Sequence, residues 1–309
     1  MTQKVLTKCA VVVLYKPQRS DIDNLQRVAT FFDELVVVDN SPVPCSIDGL
    51  ESSTIQVHCN LNRGGIAGAF NYALDHSKIN PDLFFLLDQD SRITSECVDQ
   101  LHLSAQELGD TPFIVGPAIF DMNLEKYSPL LRLSKWAYHA TEIDLVTPGR
   151  HRVFSVISSG SAISRRALQI LRHFDEGLFI DHVDTEYALR AAKHDVPVYV
   201  DTRAVLQHAI GQRTENRFLG LRLRPNNHPP FRRYYIFRNG LILALRHLFL
   251  YPSFFILNNA RMVHELLCIL LYERKRPQKI GAIILGILDG LLMRSGTFGQ
   301  RWPKVSKKL

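Results

Sequence analysis

No two of the five cysteines, Cys9, Cys45, Cys59, Cys97 and Cys268, form a C-x-x-C pair or a zinc-like spacing. That excludes a disulfide-stapled scaffold and a structural zinc module, and reads as reduced thiols in a cytosolic compartment. Long apolar runs are also missing. The run from Cys9 to Tyr15 is seven residues, lacks a small-x-small cleavage pattern and stops at Lys16-Pro17; it reads as a buried strand, not a secretory signal. Leu248 to Ala260 is free of Asp, Glu, Lys, Arg and His but contains Pro252, and it falls short of the about 20 apolar residues that cross a bilayer. Neither a G-K-[ST] phosphate loop nor a G-x-G-x-x-G fingerprint occurs in the glycine-rich segment, which sets aside P-loop and dinucleotide chemistry there. No internal repeat or low-complexity tract is evident.

What is present is ordinary globular composition: 309 residues, 46% hydrophobic and 22% charged, enough for one large domain or two small ones. The net charge of +7 is unevenly spread. Residues 226–309 hold 14 Lys/Arg against three Asp/Glu, a net +11, which leaves residues 1–225 at −4. The reading is therefore a slightly acidic body, 1–225, followed by a basic, apolar helical extension, 226–309. A basic tail rich in Leu, Ile and Phe favours an anionic lipid surface. It lacks the polar, aromatic-interleaved pattern of a nucleic-acid binder. Amphipathic helices lying on the membrane are expected, with a helical cap or a homo-oligomer interface as the plainer alternatives.

Along the body, short apolar runs alternate with helical segments. Strands are expected at Ala10–Leu14, Leu35–Val38, Thr54–Val57, Leu83–Leu87, Phe113–Val115, Val153–Ile157 and Val196–Val200. Helices are expected from Ser20 or Asp21 to Phe32, Gly64 to His76, Thr94 to Leu108, Ser164 to Leu171, and from near Asp181–Asp184 to Lys193. Residues 117–152 read as loop. The alternation implies an α/β fold with a mostly parallel sheet covered on both faces. Ligands of such sheets sit beyond the carboxyl ends of the strands, where Asp39 and Asp88–Asp90 fall.

Two carboxylates at i and i+2, Asp88 and Asp90, directly after the buried run Leu83–Leu87, can present oxygens to one Mg²⁺ or Mn²⁺ that bridges phosphate oxygens. The bland alternative is a solvated turn. Asn62-Arg63-Gly64-Gly65 opens a helix whose free N–H groups and close-approach glycines suit an anion, with Arg63 adding charge; it is equally a tight, close-packed helix entry. Asp39 can accept from a base or a ribose hydroxyl. In Phe179-Ile180-Asp181-His182-Val183-Asp184-Thr185-Glu186, Asp181 is placed as a general base with Asp184 one turn on. Helix capping explains one of these acids but not the cluster. His208 can complete the metal site, though a lone histidine is usually structural. Arg232-Arg233-Tyr234-Tyr235-Ile236-Phe237-Arg238-Asn239 mixes forked donors with aromatics that could hold phosphate of the donor, with Arg233 and Arg238 as its ligands, or of a lipid-linked acceptor; the plainer alternative is a basic helix face near anionic lipid.

The ordered set V-V-V-D-N, N-R-G-G-I-A-G-A-F-N, L-D-Q-D-S, S-S-G-S, F-I-D-H-V-D-T-E-Y, a later His and R-Y-Y-I-F-R-N resembles glycosyltransferase family 2, and within it the bacterial rhamnosyltransferases of O-antigen and related polysaccharides. The resemblance covers about residues 8–240. It implies a GT-A fold, an inverting mechanism and dTDP-L-rhamnose as donor. The implied acceptor is a lipid-linked or growing cell-surface glycan at the cytoplasmic face of the membrane. It also implies that Asp39 contacts the nucleoside and that Asn62, Arg63, Gly64 and Gly65 line the nucleotide loop. Asp88, Asp90 and His208 would hold the metal and Asp181 would act as base. Many members carry Glu-Asp where this chain has Asp181-His182, so the base stays open between Asp181 and Asp184. Galactofuranosyl or other hexosyl transfer is the alternative within the family. A pyrophosphorylase is disfavoured by the glycine-free Tyr15-Lys16-Pro17 after the first strand, and a non-catalytic scaffold by retention of the acids.

Overall fold

The computed structural model describes residues 5–307 except 46, 48, 49, 51, 145, 209–213 and 219. Its first half alternates as expected: β1 (Lys8–Leu14), α1 (Arg19–Ala29), β2 (Glu34–Asp39), β3 (Ile55–Cys59), α2 (Gly65–His76), β4 (Leu83–Asp88), α3 (Ser95–Leu108) and β5 (Ile114–Asp121). Helix α1 starts earlier than Ser20, after Gln18, whose N–H donates to Asp21 Oδ2 at 2.8 Å. It ends short of Phe32, at Ala29. Thr94 caps α3 by accepting from the Cys97 N–H at 3.2 Å.

The segment read as loop instead carries short strands, β6 (Lys126–Tyr127), β7 (Leu130–Leu133), β8 (Tyr138–Thr141) and β9 (Arg150–Val153). Of the strand expected at Val153–Ile157 only Val153 is realised, as the last residue of β9; the next strand is β10 (Ser161–Ser164), antiparallel between β4 and β5. Its S-A-I-S sequence hides the strand because serines look polar. All four residues are buried, with Ser161 Oγ donating to Ser158 O and Ser164 Oγ accepting from the Phe113 and Ala167 N–H groups, so the hydroxyls carry their own partners into the core.

After β10 come α4 (Arg165–Leu171), capped by Ser164, then α5 (Val183–Lys193) and β11 (Val198–His208). Strand β11 outruns the expected end at Val200, and it bulges between Asp201 and Val205 opposite Pro117, which has no N–H to offer the ladder. The hairpin β12 (Asn216–Phe218) and β13 (Leu221–Leu223) leads to three longer helices, α6 (Pro230–Arg246), α7 (Pro252–Tyr272) and α8 (Arg276–Leu291).

The main sheet runs β3-β2-β1-β4-β10-β5-β11-β9, parallel except for β10, β9 and the appended β6. Side chains alternate across it. Cys9, Val11 and Val13 join α2 through Ala67, Phe70 and Ala73, while Ala10, Val12 and Leu14 join α1 and α3 through Leu25, Val28, Val98 and Leu101. Both faces are dry, which explains the near-continuous apolar strands. The register sets Leu14 beside Asp39 and Val13 beside Asp88, so β1, β2 and β4 end level.

Helix α6 is buried on most of its circumference. It crosses α8 closely because Gly286 and Gly290 face it: a Cβ at Gly286 would meet the Tyr234 carbonyl at 2.5 Å. The close crossing brings Asp289 within reach of α6, where it accepts from Tyr234 Oη at 2.8 Å and from Trp302 Nε1 at 2.7 Å.

Candidate active site

The acids at the level strand ends do different work. Asp39 is buried, and its two oxygens accept from the Ser41 N–H at 2.9 Å and the Cys45 N–H at 2.7 Å; it shapes its own turn. Asparagines link that turn to the glycine-rich segment. Asn60 donates to Asn40 Oδ1 at 2.9 Å and to Arg63 O at 2.7 Å, and Asn40 donates to Asn62 Oδ1 at 3.2 Å. Arg63 itself is exposed. Gly64 and Gly65 lie at φ +65 and +63, and a Cβ on Gly65 would fall on the Phe179 carbonyl, whose oxygen accepts from the Ile66 N–H at 2.9 Å. The glycines therefore dock this loop tightly against residues 176–181, as the close-packing alternative has it.

Asp88 is half-buried at the tip of β4, and Asp90 is exposed beyond it. The Asp88 carboxyl is pushed up to about 7 by burial, then by the charges of Asp90 and Asp184, with Arg232 pulling the other way. The loop is braced from three sides. Ser91 Oγ accepts from the Asp88 N–H at 2.9 Å and meets Ser159 Oγ at 2.6 Å, and Gln89 Oε1 accepts from the Tyr15 N–H at 2.7 Å. So Ser159 of the S-S-G-S motif and the middle residue of D-x-D brace the loop that carries the carboxylates.

The 181–186 cluster divides by partner. Glu186 is buried and pairs with Arg190 at 2.5 Å. Asp181 is held in a forked ion pair, with Arg232 Nη2 donating to Oδ1 at 2.5 Å and Nε to Oδ2 at 3.2 Å. Asp184 hydrogen-bonds only its own neighbour among the described residues, accepting from the Thr185 N–H at 2.7 Å. Burial raises its proton affinity, and the Asp181 charge adds to that. It lines a cavity of about 510 Å³ between the sheet and α7, with His182, Thr185, Asn258, Arg261 and Glu265 also in the wall. His182 is kept neutral at physiological pH: burial lowers its pKa to about 4.

One placement from the sequence fails. Arg233 and Arg238 are fully buried. Arg233 pairs with Glu265 and with Glu273, the latter at 2.6 Å. Arg238 donates to the carbonyls of Gly177 and Leu178 at 3.0 Å each and to Gly296. They hold the extension to the body and cannot reach a donor phosphate. The arginine that does face the acids is Arg232. His208 ends β11, three places along from β4 in the sheet order. Among the described residues no three His, Cys, Asp or Glu side chains converge as metal ligands. The residues missed, Arg232 and Asn239, which donates to the carbonyls of Leu178, Ile180 and Asp181, lay in the R-R-Y-Y-I-F-R-N motif, but no sequence feature told its outward side from its inward one.

No family model matches the chain. It is 31% identical over 306 residues to the dTDP-rhamnosyl transferase RfbF of Shigella flexneri, across 95% of this chain and 97% of that protein. The chain belongs to the bacterial rhamnosyltransferases of glycosyltransferase family 2. Solved structures show the same GT-A fold at low identity. S. aureus TarS superposes with TM-score 0.53 at 16% identity over 91% of this chain, and GalNAc-T7, with UDP, GalNAc and Mn²⁺, with 0.51 at 15% over 73%. The chain spans 49% and 45% of those two proteins, and 81% of TarS 1–349, which it matches at TM-score 0.52 and 14% identity. This glycosyltransferase thus places its acids where a GT-A sheet ends.

Proposed function

We propose that the chain transfers L-rhamnose from dTDP-L-rhamnose, with inversion, to a hydroxyl of a lipid-linked or growing cell-surface glycan. The observation that carries the reading is that Asp88 at the tip of β4 feels the charges of Asp90 and of Asp184, and that Asp184 lines the 510 Å³ cavity, in a chain similar over 95% of its length to a dTDP-rhamnosyl transferase. The cavity is the acceptor's seat. There Asp184 takes the proton of the acceptor hydroxyl, whose oxygen attacks the anomeric carbon as the bond to the diphosphate breaks on the opposite face. A desolvated carboxylate of raised proton affinity is a competent base at neutral pH, whereas Asp181 is neutralised by Arg232.

The residues fit a divalent cation: two carboxylates repel each other at one strand end, and burial makes the charge of Asp88 costly alone. Asp88 and Asp90 would hold Mg²⁺ or Mn²⁺, which when bound neutralises the donor's diphosphate. In support of that, the similarly folded GalNAc-T7 is seen with Mn²⁺.

We place the enzyme on the cytoplasmic face of the membrane. Helix α7 is long and apolar enough, by length and composition, to cross one, contrary to the estimate from the Leu248–Ala260 run. Its inner side, however, lines the cavity through Asn258, Met262 and Glu265 and pairs with Arg233, while Ile256, Val263 and Leu270 face outward together with Ile284, Leu288 and Leu291 of α8. A helix with one polar, protein-bound side and one apolar side suits lying along a bilayer.

The test is turnover with a panel of dTDP-, UDP- and GDP-sugars and Mn²⁺. dTDP-L-rhamnose should be consumed first, Asp184→Asn should lose at least about 10²-fold in kcat, and Asp181→Asn should lose less. Preference for another donor rejects the sugar, and the reverse order of the two variants rejects the base.

A further inference from the structure

Arg232 stands apart from the other arginines of its motif. Arg233 and Arg238 are immobilised inside the protein, but the Arg232 side chain is 32% exposed and sits at the first turn of α6, against the acids. One edge of its guanidinium, Nε and Nη2, is spent on Asp181. Burial opposes its charge, and Asp181 and then Asp88 outweigh burial, so one guanidinium serves the acid just before α5 and the acid that ends β4. Its other neighbour, His228, adds no charge, because burial and Arg232 itself bring that imidazole down to about 4.

The strap that carries Asp181 is strained. Phe179, Asp181 and His182 all lie at φ between +62 and +68, without a glycine among them. Asn239 fastens it by donating to the carbonyls of Leu178, Ile180 and Asp181 at 2.9 Å each. The strap therefore keeps its shape without Arg232. What Arg232 adds is a replaceable tie: a guanidinium fork satisfied by two carboxylate oxygens is satisfied equally well by two oxygens of a diphosphate.

Building on the glycosyltransferase reading above, we propose that Arg232 grips the diphosphate of the nucleotide donor, and that its pair with Asp181 is a latch of the donor-free protein which the diphosphate opens. The latch makes the two partners opposite in effect. Removing Arg232 removes a ligand of the diphosphate. Removing the charge of Asp181 frees Arg232 and should make the diphosphate easier to hold.

Isothermal titration in the presence of Mn²⁺, with dTDP, dTMP and thymidine as probes, separates these cases. Melting curves of each variant check that it is folded. Arg232→Gln should weaken dTDP about 10- to 100-fold, the worth of a charge-assisted bond, and leave thymidine unchanged. Arg232→Lys, a point charge in place of a fork, should recover part of the loss. Asp181→Asn should tighten dTDP several-fold, and the double variant should follow Arg232→Gln. Wild-type affinity for dTDP in Arg232→Gln overturns the proposal. So does a loss in Asp181→Asn equal to that in Arg232→Gln, which marks the pair as structural only. If the wild-type protein prefers another nucleoside diphosphate to dTDP, the rhamnose donor falls and the same variants are titrated with that nucleotide. If it binds none, both readings fall.

Discussion

Arg233→Ala is the sharpest test of how the extension is joined to the body. Arg233 and Glu273 are both fully buried and paired at 2.6 Å, with Lys279 on the other oxygen of Glu273 at 2.7 Å and Glu265 on the far side of the guanidinium. Losing one partner of a buried pair costs about 3–5 kcal/mol, since the remaining charge is left without compensation. Lys279 still serves Glu273, so the lower end applies, about 3 kcal/mol. At about 2–4 °C per kcal/mol for a large domain, Tm should drop by about 6–12 °C. Calorimetry gives Tm, and titration with dTDP well below Tm gives affinity. The expected result is a large loss of stability with nucleotide affinity preserved. A Tm within about 2 °C of wild type, accompanied by lost dTDP affinity, would show that Arg233 contacts the donor after all and would refute the structural argument.

Other outcomes follow from the same geometry. The raised Asp88 pKa means the fold holds that proton more tightly than the unfolded chain, so its contribution to stability is fully present below the ordinary carboxyl value of 3.8 and is lost as pH rises through about 7. Mn²⁺, which binds only the ionised form, should raise Tm at pH 8 and do little at pH 5; equal effects at both, or none removed by Asp88→Asn, count against the metal site. Gly286→Ala should lower Tm, because the new methyl meets the Tyr234 carbonyl, whereas Gly281→Ala, where nothing lies within 4 Å, should raise stability by about 0.5–1 kcal/mol; matching shifts would contradict the close crossing of α6 and α8. Replacing Ile256, Val263 and Leu270 together by Ser should abolish flotation with anionic vesicles while leaving Tm nearly unchanged, and undiminished flotation would remove α7 from the membrane contact.

The parallel half of the sheet was legible because its strands are dry on both faces and its turns are polar. The acids at 88, 90, 181 and 184 were legible because strand ends and helix starts are where such chemistry must sit. What stayed hidden has a physical cause in each case. Strand β10 is built from serines that bond locally, so hydropathy reads it as loop. Neighbouring residues on a helix point about 100° apart, and only the rotation of α6 decides whether Arg232 or Arg233 meets the site. That rotation is invisible in a helix buried nearly all round. The basic tail was overcounted for the same reason, since Arg233, Arg238 and Lys279 spend their charge inside the protein.

Asn239 belongs to the extension by sequence and to the 178–182 strap by its bonds. A chimera that exchanged residues 1–225 between relatives while keeping the native C-terminal helices would part the strap from the side chain that moulds it. Exchange of sugar specificity by domain grafting should therefore succeed only when the 176–186 segment and α6 travel as a pair.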